Sequence, residues 1–240
     1  MTFFESRLRL NFEDLQELNS YFKICEELGI KNLIIEPTDL KKKIDVKKKH
    51  SIKKLSPISI YFRNNIKVEN INDFKNQIKK FNHSSDINSV ESFNKEVQIH
   101  AARDSRVDLI SFSNLNTVKT LSSGVLSLIK QNESFIEFSL APLMIGNKRV
   151  QSKNFRTLYK SIRMARRENV KIIISGDFRS PFGMRNPRGL ISTCNTLLEI
   201  PLKEVKDIFL VNPVKLIERA KIREDRSVLN GSILIKRKGD

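Results

Sequence analysis

Short apolar, β-branched runs alternate with segments of helical spacing along nearly all of this 240-residue chain. Strand-like runs fall at residues 3–10, 32–35, 58–62, 87–93, 107–112, 135–140 and 172–175. Between them apolar residues recur every three or four positions, as in Leu15, Leu18, Phe22, Cys25 and Leu28, or Ile71, Phe74, Ile78 and Phe81. Strands separated by helices cannot pair as hairpins, because each crossover brings the chain back to start the next strand in the same direction. The pattern therefore predicts an α/β protein with a parallel sheet, either a β/α barrel or a doubly wound sheet. A chain of this length is enough for one such domain.

The best-defined unit is KIIISGDFRSPFGMRNPRGLISTCNTLLEIP, residues 171–201. A buried strand, Ile172–Ser175, runs into a loop with Gly176, Pro181 and Gly183, and then into Asn186-Pro187. Asn is a good N-cap, and Pro fits the first helical turn, where its missing N–H costs nothing. Leu190, Ile191, Cys194, Leu197 and Leu198 continue at helical spacing until Pro201. Arg179, Arg185 and Arg188 sit in the loop and first helical turn, beside the free N–H groups of a helix N-terminus. That combination suits an anion, most simply a phosphate. The same residues also fit a solvated loop that happens to be basic, and the local sequence leaves both readings open.

Charge decides which kind of partner to expect. The formal net charge is +17, with a pI near 9.9. Residues 141–200 hold twelve Lys and Arg against three acidic residues, and residues 39–54 hold eight Lys against two Asp. These two segments carry surpluses of nine and six, almost the whole excess. Cationic charge crowded in this way points to a polyanion, and nucleic acid is the class it favours. The helix predicted over 155–167 has Arg156, Lys160, Arg163 and Arg167 along one stripe, just ahead of the arginine-bearing loop. A basic stripe is also what the wet side of a helix looks like. Arg103 and Arg106 lie before the strand at 107–112. The lysine segment 39–54 is expected to be a solvated loop.

The competing readings are a metal-dependent phosphoesterase, which needs several His and carboxylate ligands that converge, and a basic scaffold that binds some other structured RNA. There are three histidines, His50, His83 and His100, with no pairing that suits a metal. Asp104 and Asp108 are close in sequence but are expected before and inside a strand, so they do not converge. No phosphate-binding glycine motif or nucleophile elbow occurs. Cys25 and Cys194 lie in apolar helical patterns and read as buried thiols. No run reaches the roughly 18 apolar residues of a membrane span, and the N-terminus has no signal-like apolar region. A soluble, cytoplasmic protein is the expectation. After Pro201 two separate helices are expected, the second starting at Asn212-Pro213, followed by a basic tail over 226–240.

Several pieces in order carry a resemblance. They are Val107-Asp108-Leu109-Ile110, Phe138-Ser139-Leu140-Ala141-Pro142-Leu143, the 172–175 strand, Arg185-Asn186-Pro187-Arg188-Gly189-Leu190-Ile191-Ser192, and Glu199-Ile200-Pro201. Across about residues 95–220 these resemble the barrel-type protein subunit of archaeal and eukaryotic RNase P, the component 3 family. The resemblance implies a single-domain TIM-like barrel over 1–225. It further implies a non-catalytic subunit of the endoribonuclease that removes the 5′ leader of precursor tRNA. In that family the chemistry belongs to the RNA and its Mg²⁺ ions, so no cofactor is expected on this chain. The partners implied are the RNase P RNA, a small protein subunit (component 2) and, indirectly, precursor tRNA. Arg185 and Arg188 fall on basic positions of the family, whereas Ala141 stands where it often has Arg. RNA contact is therefore expected from Arg103, Arg106, Arg156, Lys160, Arg163, Arg179, Arg185 and Arg188.

Overall fold

The computed structural model describes residues 2–39, 44–81, 86–178 and 180–236. Seven parallel strands follow one another in chain order: β1 (Phe3–Leu10), β2 (Ile30–Pro37), β3 (Ser59–Lys67), β4 (Ile87–Glu91), β5 (Leu109–Phe112), β6 (Phe135–Ser139) and β7 (Lys171–Ser175). The last strand comes back beside the first, where Leu8 bridges Phe178 in parallel. The sheet is thus a nearly closed TIM-like barrel, and the doubly wound alternative falls away. Around it lie α1 (Leu15–Glu27), α2 (Val46–Lys53), α3 (Ile71–Lys80), α4 (Lys95–Arg103), α5 (Leu115–Val118), α6 (Ser123–Gln131), α7 (Lys148–Arg167) and α8 (Pro187–Thr196). Asp14, Asn70, Asn94, Ser122 and Asn147 cap their helices by accepting first-turn N–H groups, as the sequence pattern requires.

The seam between β1 and β7 has few ladder bonds, and a side chain supplies others. Glu5 Oε1 accepts the Gly176 N–H at 3.0 Å and the Arg7 N–H at 3.1 Å. Here β1 breaks register with β2, between Glu5 and Leu8. Gly176 permits the close approach: a Cβ there would lie 2.1 Å from the Phe178 ring, which is itself buried.

Two apolar layers hold the barrel. The larger lies between the outer face of the sheet and the helices. The smaller fills the barrel's N-terminal end, where Phe4, Ile34, Ile87, Leu109, Phe135 and Ile173 meet Leu216, Ile217 and Ala220. Those last three lie on α10 (Asn212–Lys236), which plugs the bottom of the barrel. Arg223 fixes the plug by pairing with Asp108 at 3.1 Å and donating to the Asp86 carbonyl at 2.6 Å.

Three expectations need correction. The lysine segment is not a loop over its described length. Residues 46–53 form α2, with Lys48 paired to Glu13 and Lys49 and Lys53 over the Phe62 ring at 5.6 and 5.7 Å. Residues 40–43 lie outside the described residues. The two helices expected after Pro201 are one continuous rod: α9 (Leu202–Lys206), a π-turn (Asp207–Val211) and α10. Asn212 has helical dihedrals rather than those of a cap, and its amide donates to the Ile172 carbonyl at 2.7 Å. Pro213 cannot donate to the carbonyl four residues back, and the helix widens in the turn before it. Lastly, α10 runs on to Lys236, through most of the segment expected to be a tail. Both cysteines are free and buried, as expected.

Burial pushes the Glu5 carboxyl up to about 8, against 4.5 in an exposed chain. The folded protein therefore keeps a proton that the unfolded chain releases, and stability should fall as pH rises from about 4.5 to about 8. Glu5→Gln keeps an acceptor oxygen but cannot ionise. Urea titrations across that range should show wild type losing stability relative to the variant by about 1.4 kcal/mol per pH unit. Parallel curves would contradict a neutral Glu5.

Candidate nucleic-acid interface

Barrel enzymes place their chemistry at the C-terminal ends of the strands. In this chain that part of the barrel is filled by ion pairs. Counting inward along alternate positions, each strand follows its apolar first-layer residue with a polar one: Glu36, Arg63, Ser89, Ser111, Glu137 and Ser175. Arg7 from β1 reaches into the same layer. Its guanidinium donates to Glu36 at 3.1 Å, Glu91 at 2.9 Å and Ser111 at 2.8 Å, and lies 3.5 Å from Glu137. Arg63 donates to Glu137 and Ser89 at 2.7 Å each and pairs with Glu36 at 3.2 Å. Both arginine side chains are fully buried. Burial alone would raise Glu137, but Arg63 and Arg7 outweigh it and hold the carboxyl down to about 2.

These carboxylates are bound to guanidinium groups rather than arrayed around a vacant centre. Among the described residues, no group of three or more His, Cys, Asp or Glu could hold a metal. His50 is exposed on α2 and His100 half-buried on α4, while His83 lies outside the described residues. Asp104 and Asp108 do not converge, since Asp104 bonds Arg106 and Asp108 bonds Arg223. Sequence reading missed this interior network. Its signal was present as polar residues at period two inside strands otherwise apolar, such as Glu137 in FIEFS.

Five of the eight candidate cations are exposed outside the barrel, on α7, in the loop between β7 and α8, and on α8. After β7 the chain makes a 3-10 turn, Pro181–Gly183, and buries Met184 against Cys25, with sulfurs 3.9 Å apart. Asn186 then caps α8 by accepting the Arg188 N–H at 2.9 Å, with Pro187 at the first helical position, as expected. Arg188 stands exposed in this first turn. Arg185 is more constrained than the sequence suggests. Its Nη1 donates to the carbonyls of Phe182, Gly183 and Met184 at 3.2, 2.9 and 2.9 Å, although the side chain as a whole is exposed.

Helix α7 turns Leu158, Ile162 and Ala165 inward and leaves Arg156, Lys160 and Arg163 exposed. Arg156 and Arg185 meet on the rim of one groove of about 820 Å³, floored by Leu140, Leu143, Phe155 and Leu190. Ala141 is half-buried on the 3-10 turn beside it. Arg179 lies outside the described residues. Arg103 and Arg106 are separated from the others. Arg103 ends α4 and Arg106 lies between α4 and β5, which puts both at the N-terminal end of the barrel, opposite the loop that follows β7. Arg106 is also engaged, with two bonds to Asp104 at 2.9 and 2.6 Å. The eight candidate arginines and lysines therefore do not form a single rim. The order of elements could have shown it, because a loop before a strand and a loop after one lie at opposite ends of a parallel barrel.

Comparison with known proteins identifies the family and the fold. A family model described as RNase P subunit p30 matches residues 4–225. The chain belongs to the RNase P subunit p30 family. A chain in the cryo-EM structure of archaeal ribonuclease P with mature tRNA superposes with a TM-score of 0.74 at 18% identity, covering 91% of each chain. Two others share the fold at lower similarity. The ochratoxinase of A. niger has a TM-score of 0.57 at 10% identity, covering 90% of this chain and 71% of its own. A prolidase complexed with N-methylphosphonate-L-proline has 0.59 at 9%, covering 91% and 74%. No individual curated protein matches the sequence significantly.

Removing one partner of a buried ion pair leaves the other charge stranded, which costs roughly 3–5 kcal/mol. Glu137→Leu should lower the unfolding free energy measured by urea titration by an amount in that range. Replacing Arg63 by Met in the same protein should restore much of it. Strictly additive losses from the two substitutions would show that the pair is not coupled.

Proposed function

We propose that this chain is a non-catalytic protein subunit of ribonuclease P, binding and stabilising the RNA that removes the 5′ leader of precursor tRNA. The observation that carries the reading is the family match over nearly the whole chain, joined to cationic groups displayed on α7 and at the start of α8. The archaeal neighbour comes from a ribonuclease P structure that contains tRNA, which is the setting this reading gives the present chain. In this reading the RNA and its Mg²⁺ ions carry out cleavage, and the protein contributes phosphate contacts and shape. Its partners are the RNase P RNA and the small subunit, component 2, with precursor tRNA engaged indirectly.

Among the described residues, the contact surface is Arg156, Lys160 and Arg163 on α7, together with Arg185 and Arg188. An exposed arginine beside a helix N-terminus offers a phosphate both a charged fork and free N–H groups. Arg185 gives part of its donor capacity to its own loop, so Arg188 is the freer of the two. Arg103 and Arg106 belong to the opposite end and to a separate contact with the RNA. A metal-dependent phosphoesterase is the weaker alternative, because the interior carboxylates are already paired with Arg7 and Arg63.

The direct assay is reconstitution. Adding this chain and the small subunit to refolded RNase P RNA should allow precursor tRNA cleavage at Mg²⁺ concentrations where the RNA alone is inactive, and the chain alone should cleave nothing. Metal-dependent phosphoesterase activity of the purified chain, abolished by chelator, would contradict the proposal. Salt dependence resolves the surface. Arg188→Ala should lower the log–log slope of RNA affinity against salt by about one. Arg106→Ala should change it less, because Asp104 already neutralises that side chain.

A further inference from the structure

Phe182 has the highest exposure, 91%, of the large apolar side chains among the described residues. Its chain neighbours behave in the opposite way. Phe178 and Met184, four residues before it and two after, are 4% and 5% exposed and anchor the loop on either side. A ring on a slack loop would fold back onto the apolar surface nearby. Here the backbone is pinned. Gly183 N–H donates to the Ser180 side chain at 3.2 Å and to its carbonyl at 3.1 Å, and Met184 N–H donates to the Pro181 carbonyl at 3.1 Å. Pro181 fixes its own φ. The Arg185 guanidinium closes the turn by binding the carbonyls of residues 182, 183 and 184 together.

The ring's neighbours in the chain are cationic. The same short stretch carries Arg185, Arg188 and the N-terminus of α8. A protein-binding anchor is ordinarily ringed by apolar neighbours, whereas Phe182 does not line the apolar groove nearby and shares its loop with groups suited to phosphate. An aromatic face held outward between such groups is how proteins take an unpaired nucleotide, with the base on the ring and the backbone on the cations. We propose that Phe182 is a stacking platform for an unpaired base, in a loop or bulge of a structured RNA. The inference rests on the RNA-binding reading above and adds the element that phosphate contacts lack. Arg185 is then a positioning residue, since its guanidinium holds the turn that presents the ring. Base identity matters little to such a contact, because every base has a π face.

The test is RNA affinity across a KCl series, using the full chain with the small subunit and refolded RNase P RNA. Stacking is insensitive to salt, so Phe182→Ala should weaken binding by roughly 5- to 150-fold with the slope unchanged. Phe182→Tyr and Phe182→Trp should bind within a few-fold of wild type, and Phe182→Leu should resemble Phe182→Ala. The side chain packs on little, so the melting temperature should be the same for all four. Wild-type affinity for Phe182→Ala or Phe182→Leu overturns stacking. If Arg188→Ala still shifts the slope in that experiment, the RNA-binding reading survives without it. If neither variant alters binding, both fail. Loss of the small subunit from the complex on Phe182→Ala, with RNA affinity intact, would make the ring a protein anchor and overturn the inference.

Discussion

Two buried guanidinium groups, Arg7 and Arg63, determine what the upper half of this barrel can be. Each is fully enclosed and faces carboxylates from several strands, so neither could be buried without them. The pairs join β1, β2, β3, β4 and β6 across the interior at defined heights. A one-residue slip of any of these strands would turn its charged residue outward and strand the others. The network thus fixes register, at the C-terminal ends of the strands where barrel enzymes place their chemistry. The likeness to those enzymes is one of fold, and function follows from the groups placed on it.

A filled interior moves function to the surface, and charge accounting agrees. Inside, Glu36, Glu91, Glu137 and Asp177 face Arg7, Arg63 and the half-exposed Arg9, while Glu5 is held neutral by burial. The interior is close to neutral, so the surplus of +17 is displayed outside. It is displayed most clearly on α7 and at the start of α8. Loops that follow strands carry binding groups most freely, since the sheet fixes their roots while their tips can vary. The loop after β7 shows this arrangement, with Phe178 and Met184 buried as roots and Phe182, Arg185 and Arg188 outward.

Much of this was legible in the sequence, for identifiable reasons. Seven strands were readable because parallel strands buried on both faces are nearly continuous apolar runs. The start of α8 was readable because Asn186-Pro187 is a strong local signal. The interior ion pairs were missed because their partners are far apart in the chain, 130 residues for Arg7 and Glu137. The lysine segment misled for a related reason. Eight lysines suggest solvent, yet Lys49 and Lys53 hold their ammonium groups over the Phe62 ring. Pro213 suggested a helix start, and only packing shows the π-turn that lets the rod continue. Grouping Arg103 and Arg106 with Arg185 and Arg188 failed because proximity in charge was taken for proximity in space.

The account holds that an RNA lies against α7 and the start of α8, outside a barrel closed by its own ion pairs. Photocrosslinking of the chain to refolded RNase P RNA, with the crosslinked peptides identified by mass spectrometry, tests this most directly. Crosslinks should concentrate in residues 148–163 and 180–190. Crosslinks confined to residues 95–106, at the opposite end of the barrel, or none above a non-cognate RNA control, would contradict it.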